Sequence, residues 1–210
     1  MNDEPRPAPS VLTRLQRGLE TLYRVDTRLQ VEQFVISESQ RNDARTERAP
    51  REQVLLRQEG DDDLGLGLFV DGDALSNLER NDPAARLDDD NFADFCLAVE
   101  GVSHFIYLAL CAAEDRRVSA LELELQAEVD KFACCALLTA PDRSNAPELP
   151  ELRRRLYDEV SFAADLDDEE HDRYRVANAE ARRYARVLDH KYMASRRVPD
   201  MLPELRRFYR

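Results

Sequence analysis

Glu100, His104, Tyr107 and Cys111 follow one another at spacings of 4, 3 and 4 in a run that is otherwise almost wholly apolar. At 100° per residue these four fall on one stripe of a helix, with Ser103 beside them. Carboxylate and imidazole together are a ligand set for Fe, Mn or Zn. They are also the pair from which an acid–base site is made. Each needs a partner if buried, because an unpaired buried polar group costs about 1–3 kcal/mol and a charge more. The following apolar run, 118–139, has Leu121, Leu125, Val129, Phe132 and Ala136 on one face. Glu124, Glu128 and Cys135 lie along one edge of that face and Glu122 along the other. The short connection between the two runs predicts an antiparallel helix pair. Such a pair would bring Glu100 and His104 to Glu124 and Glu128, where a divalent metal is one expectation. A self-satisfying Glu–His or Glu–Arg network, with Arg116, Arg117 or an arginine of 151–164 as the cation, is the other.

Several signatures that would sharpen the metal reading are missing from the sequence. Di-iron and di-manganese bundles use Glu-x-x-His on two helices, whereas here Glu-x-x-x-His occurs once. The His-Glu-x-x-His of zinc proteases does not occur. No Gly-x-Ser-x-Gly elbow is present. Cys111 and His104 lie about 10 Å apart along a helix axis, too far for a nucleophile and its base. Cys134 and Cys135 diverge on a helix and read as small core residues. Glu128-Val-Asp130-Lys131 has the residue types of a nuclease motif, but on a helix rather than the strand that motif requires. Gly65-Leu66-Gly67 lacks the third glycine and the context of a nucleotide loop. His171 and His190 read as solvated side chains.

The elements that must position the stripe can be read from periodicity and punctuation. Ser10 is an N-cap type ahead of Val11, Leu12, Leu15, Leu19 and Leu22, at helical spacing. Residues 31–36, rich in β-branched and aromatic types, predict a strand, and 37–51 predict a long loop. Residues 53–58 and 64–70 predict a hairpin about the turn 60–63. In its second arm Leu64, Leu66, Leu68 and Val70 share one face, while Gly65 and Gly67 on the other permit close packing. Asp73 is the expected cap of a short helix to Leu78. Asp88, Asp89 and Asp90 precede the helix 91–114 and suit the positive end of its dipole better than a metal site. Helices are then expected over 118–139 with Ser119 as cap, over 151–164, and over 168–193 with a seam of Tyr174, Ala177, Ala181, Tyr184 and Leu188. A helical tail covers 202–208. The fold class expected is α+β, with a small antiparallel three-stranded sheet over 31–71 packed on a larger helical part over 73–208. One domain spans 1–210, with residues 1–9 as a disordered tail and 10–72 as a helix plus β-meander.

Composition narrows the partners. The chain has 210 residues, 43% hydrophobic and 35% charged, with a net charge of −13 and a pI near 4.8. That balance disfavours nucleic acid and anionic membrane surfaces. Arginine outnumbers lysine 28 to two, which reads as a surface preference before it reads as anion recognition. The most apolar window, 95–113, is about one membrane span long, but its central Glu100, Ser103 and His104 favour a buried helix. The four cysteines fall in helical stretches without Cys-x-x-Cys, which suits a reducing, cytoplasmic setting. Six acids over 59–73 and five arginines over 195–210 are candidates for pairing within the molecule, across a homo-oligomer or with a protein partner. The expected function is an accessory or protein-interaction module. The alternative is a metal-dependent enzyme or metal-binding protein centred on Glu100, His104, Glu124 and Glu128.

Overall fold

The computed structural model describes residues 8–43, 50–58, 64–139, 149–160, 166–193 and 198–209. Helix α1, Val11–Tyr23, starts where the Ser10 hydroxyl accepts the Thr13 amide at 3.1 Å. It ends at Arg24, whose left-handed φ of 58° turns the chain. On its inner face Gln16 is buried, and both ends of its amide are used. Its Nε2 donates to the Leu29 carbonyl at 2.8 Å, and its Oε1 accepts the Val31 amide at 2.9 Å.

That clamp corrects the first expected strand. Val31–Gln33 forms a 3-10 turn and fully buries Val31, so the β-branched residue reaches the core without an extended chain. Only Val35 then pairs, in a single parallel bridge to Leu68, with Leu68 N–H to Phe34 O at 2.8 Å and Ile36 N–H to Leu68 O at 2.9 Å. Among the described residues the sheet therefore has two strands, not three. Part of the expected loop after it is also helical: α2, Glu38–Asp43, follows Ser37, whose hydroxyl accepts the Gln40 amide.

Strands β1, Glu52–Gln58, and β2, Leu64–Val70, form the antiparallel hairpin, with Glu52 opposite Val70 and Gln58 opposite Leu64. Leu68 and Val70 are buried, as the period of two requires. Phe69 on the other face is also buried, under the Arg41 guanidinium at 4.2 Å. A Cβ on Gly67 would come within 3.2 Å of Ile36. The expected tail 1–9 and the turn 60–63 lie almost wholly outside the described residues. So does most of the expected break at 141–150.

Helix α3, Gly72–Arg80, is capped by Asp71, not Asp73: the Asp71 carboxylate accepts the Ala74 amide at 3.0 Å. The central helix α4, Phe92–Ala113, is buried along most of its length. Among the described residues it is also the one helix long and apolar enough to cross a membrane. Two thirds of its most apolar stretch faces the inside of the fold, as expected for a core helix. The three aspartates before it hold local turns and surface pairs: Asp88 with Arg86 at 2.9 Å and Asp89 with Arg155 at 2.9 Å.

Helix α5, Ala120–Thr139, opens with a reciprocal box. The Glu122 amide donates to the Ser119 hydroxyl at 3.2 Å, and the Ser119 amide donates to the Glu122 carboxylate at 2.7 Å. It runs antiparallel to α4. Helix α6, Leu149–Arg153, continues as a π-wound turn over Arg154–Asp158 and stops there, short of the helix expected over 151–164, whose residues 161–164 lie outside the described residues. Helix α7, Asp168–Leu188, has a capping box between Asp167 and Glu170, and its last expected turn, Asp189–Met193, is also π-wound. Its seam residues Ala177, Ala181 and Leu188, with Ala185, are buried as α7 packs on α5. Helix α8, Val198–Phe208, closes the core with Met201 and Leu205, and Arg206 donates to the Leu22 carbonyl at the end of α1 at 2.7 Å.

The hairpin rests on α4 at Gly101. A Cβ there would meet Glu52 Cγ and Leu68 Cδ1, each at 3.0 Å. Gly101→Ala is expected to push the hairpin off the helix and lower stability by about 1–3 kcal/mol, despite alanine's better helix propensity. Urea unfolding of the variant checks this.

Candidate functional site

The four candidate ligands, Glu100, His104, Glu124 and Glu128, come together between α4 and α5, and Glu52 and Lys131, which were not among them, join them. The imidazole of His104 lies between two carboxylates: Nδ1 is 3.6 Å from Glu52 Oε1, and Nε2 is 3.9 Å from Glu124 Oε2. One turn away, the Lys131 ammonium lies between two more. Its Nζ is 3.1 Å from Glu100 Oε2 and 2.5 Å from Glu128 Oε1. These six side chains form two triads of carboxylate, cation and carboxylate, to which the stripe contributes Glu100 and His104 but not Tyr107 or Cys111. The cation of the second triad is Lys131, not an arginine; Arg116 instead donates to Cys111 Sγ at 2.9 Å and pairs with Glu122 at 3.6 Å.

Positioning follows from the elements. Glu100 and His104 are one turn apart on α4, and Glu124, Glu128 and Lys131 descend one face of α5. Glu52, the first residue of β1, is delivered by the contact at Gly101. Tyr174 of α7 lies against the Glu124 carboxyl.

Burial sets the protonation states. It would push the His104 imidazolium down, but Glu52, Glu124 and Glu100 surround it and raise its pKa to about 9. Burial raises Glu124 to about 7, only partly opposed by His104. It also raises Glu52 and Glu128. On Glu100 the upward push of burial is outweighed by Lys131 and His104, which hold its carboxyl below the usual range. Glu100 and Glu128 keep Lys131 firmly charged against the cost of burial. Four carboxylates thus face two cations, and the surplus of negative charge must be met by protons or by a further cation. Glu52 Oε1, His104 Nε2 and Glu128 Oε2 are buried without hydrogen-bond partners. Among the described residues, no three His, Cys, Asp or Glu side chains converge at metal-ligand spacing.

A second polar cluster, not singled out by the spacing, ties α1 to the pair. Asp130 is 1% exposed and accepts from Ser103 Oγ at 2.6 Å, from Gln126 Nε2 at 2.9 Å and from the Tyr23 hydroxyl. Burial lifts its carboxyl to about 6 against those donors. Tyr23 in turn stacks on Tyr209 with centroids 4.0 Å apart. Only the Ser103 position beside the stripe hinted at this network. Tyr107 of the stripe faces Tyr209, edge to face at 5.4 Å, and the four cysteines are free thiols.

Of the expected acid–arginine pairing, Glu59, Asp61, Asp62, Asp63, Arg196, Arg197 and Arg210 lie outside the described residues. Asp71 pairs with Arg51 at 3.5 Å and Arg207 with Glu204 at 4.0 Å, so these two members of the groups are paired locally.

A group with a higher pKa folded than unfolded gives stability that is present below its unfolded value and is lost as pH rises through its folded value. For Glu124 that window runs from 4.5 to about 7, and for His104 from 6.5 to about 9. The urea midpoint is therefore expected to fall steadily from pH 5 to pH 9. Glu124→Gln should flatten the lower half of that slope, and Lys131→Met should destabilise at every pH by about 3–5 kcal/mol. Denaturation series at five pH values check both. No family model matches the chain, and no curated protein or solved structure matches it.

Proposed function

We propose that this chain is a cytoplasmic, non-catalytic interaction module that receives an amphipathic helix of a protein partner. The carrying observation is an apolar groove of about 330 Å³ between α1, the loop at Pro83 and the end of α5, with Leu15, Gly18, Phe95, Leu137 and Leu138 in its walls. Leu138 remains 36% exposed there. Gly18 supports the reading further. A Cβ on it would meet no atom of the described residues within 4 Å, so none of them requires glycine there. In mid-helix it costs about 0.5–1 kcal/mol relative to alanine. A glycine at the floor of an apolar groove lets an incoming helix approach closely, which is the helix-in-groove mode. The chain's −13 charge selects a partner helix with basic flanks and opposes a second copy of this chain. The buried triads then serve as the framework that holds α4 and α5, the bed of the groove, in register.

A second reading keeps the notion of a divalent cation, Fe, Mn or Zn, at Glu52, Glu100, His104, Glu124 and Glu128. It is favoured by the surplus carboxylate charge and the orphaned oxygens of Glu52 and Glu128. The ion would have to displace the Lys131 ammonium from Glu100 and Glu128.

A Leu/Lys amphipathic peptide of about 18 residues, five helical turns, is the probe. Binding to the full chain is expected, at least tenfold weaker in Gly18→Trp and in Leu138→Arg, with unfolding midpoints near wild type. Binding that ignores both variants, or a dimer at sedimentation equilibrium, would overturn the docking reading. Elemental analysis of protein purified without an affinity metal decides the second reading. Stoichiometric metal that is lost in His104→Gln supports it, and metal-free protein that unfolds cooperatively rejects it.

A further inference from the structure

A basic cleft lies on a different part of the molecule from the groove, where the π-wound ends of α6 and α7 meet. It encloses about 880 Å³ and is lined by Arg153, Arg183, Arg186, His190 and Lys191, with Asp189 as its one acid. On a chain whose net charge is −13, five basic side chains about one space are the reverse of the average. The acid is already taken, since Asp189 pairs with Arg153 at 3.1 Å, both largely buried. Arg183 pairs with Glu180 at 3.0 Å and Lys191 with Glu204 at 3.5 Å, both from exposed positions. Arg186 and His190 hold no ion pair among the described residues, and the Nε of Arg153 is buried without a hydrogen-bond partner.

Two local features build this wall. Arg153 immediately precedes the π-wound Arg154–Asp158, and Asp189, His190 and Lys191 belong to the π-wound Asp189–Met193. π-wound turns are rare and occur often at functional sites. Widening the last turns brings Asp189, His190 and Lys191 onto one wall beside Arg183 and Arg186. The cations are more than the C-terminal dipole of α7 calls for, that dipole amounting to about half a charge.

We propose that this cleft binds a small phosphorylated molecule, its phosphate held by the guanidinium groups of Arg153, Arg183 and Arg186 with Lys191 and His190 at the rim. Phosphate is favoured over a carboxylate because a tetrahedral oxyanion accepts guanidinium forks on several faces, whereas a planar carboxylate takes one fork edge-on. The half-exposed Val187 beside it offers an apolar surface to the organic part. A nucleic-acid polymer is disfavoured by the overall negative charge.

Calorimetric titration of the full chain with inorganic tripolyphosphate, with citrate as the carboxylate comparison, tests this. Tripolyphosphate is expected to bind more tightly than citrate and to weaken as salt is raised. Arg186→Gln should weaken it about tenfold, Arg186→Gln with His190→Gln further, and Arg175→Gln on the same helix not at all. Both altered residues are exposed, so thermal melts should match wild type. Equal loss in Arg175→Gln, a preference for citrate, or no heat at low salt would overturn the proposal. The groove is untouched by these variants, so failure here leaves the docking reading standing on its own test.

Discussion

An imidazolium, an ammonium and four carboxylates sit between α4 and α5, where water is largely excluded, and their mutual arrangement limits how every neighbouring element can lie. Removing an ion from water costs several kcal/mol in real proteins, and only close, well-oriented partners offset it. His104 finds Glu52 and Glu124, and Lys131 finds Glu100 and Glu128. If α5 slid by one turn on α4, Lys131 would leave Glu100 and Glu124 would leave His104. The layer therefore works as a register device, holding the helix pair in one alignment that apolar packing alone would specify less sharply.

The other contacts extend from that alignment. Gly101 removes the side chain that would keep β1 away, and this lets Glu52 reach His104. Asp130, on the same helix as Lys131, gathers Ser103, Gln126 and Tyr23, so α1 is tied to the pair through hydrogen bonds instead of a cation. Alanines at 177, 181 and 185 let α7 lie close along α5 and bring Tyr174 to Glu124. Both proposed binding surfaces lie outside this layer. The apolar groove lies between α1, Phe95 of α4 and the end of α5, and the basic cleft uses the ends of α6 and α7.

Much of this was legible in the residues themselves. The period of Leu66, Leu68 and Val70, the caps Ser10 and Ser119, and the spacing of Glu100 and His104 are local signals, and local geometry obeyed them. What was not legible depends on distant partners. Residues 31–36 have the composition of a strand, yet the amide of Gln16 holds Val31 in a turn and leaves one bridge. Asp73 and Asp71 are equally good caps by type, and the end of β2 decides between them. Glu52 gave no signal, because nothing in a strand's first residue says which helix it will face. Lys131 could have been suspected: it is one of two lysines in the chain, set in an apolar helix three residues after Glu128. The π-wound turns have no sequence signature of comparable strength.

His104 carries its charge inside the fold because Glu52 and Glu124 hold it there. Imidazole carbon shifts followed by NMR from pH 5 to pH 10 test it most directly. His104 is expected to remain protonated at pH 8 and to titrate near 9, with Glu124→Gln moving its midpoint down. A midpoint at or below the ordinary 6.5, unmoved by Glu124→Gln, would contradict it.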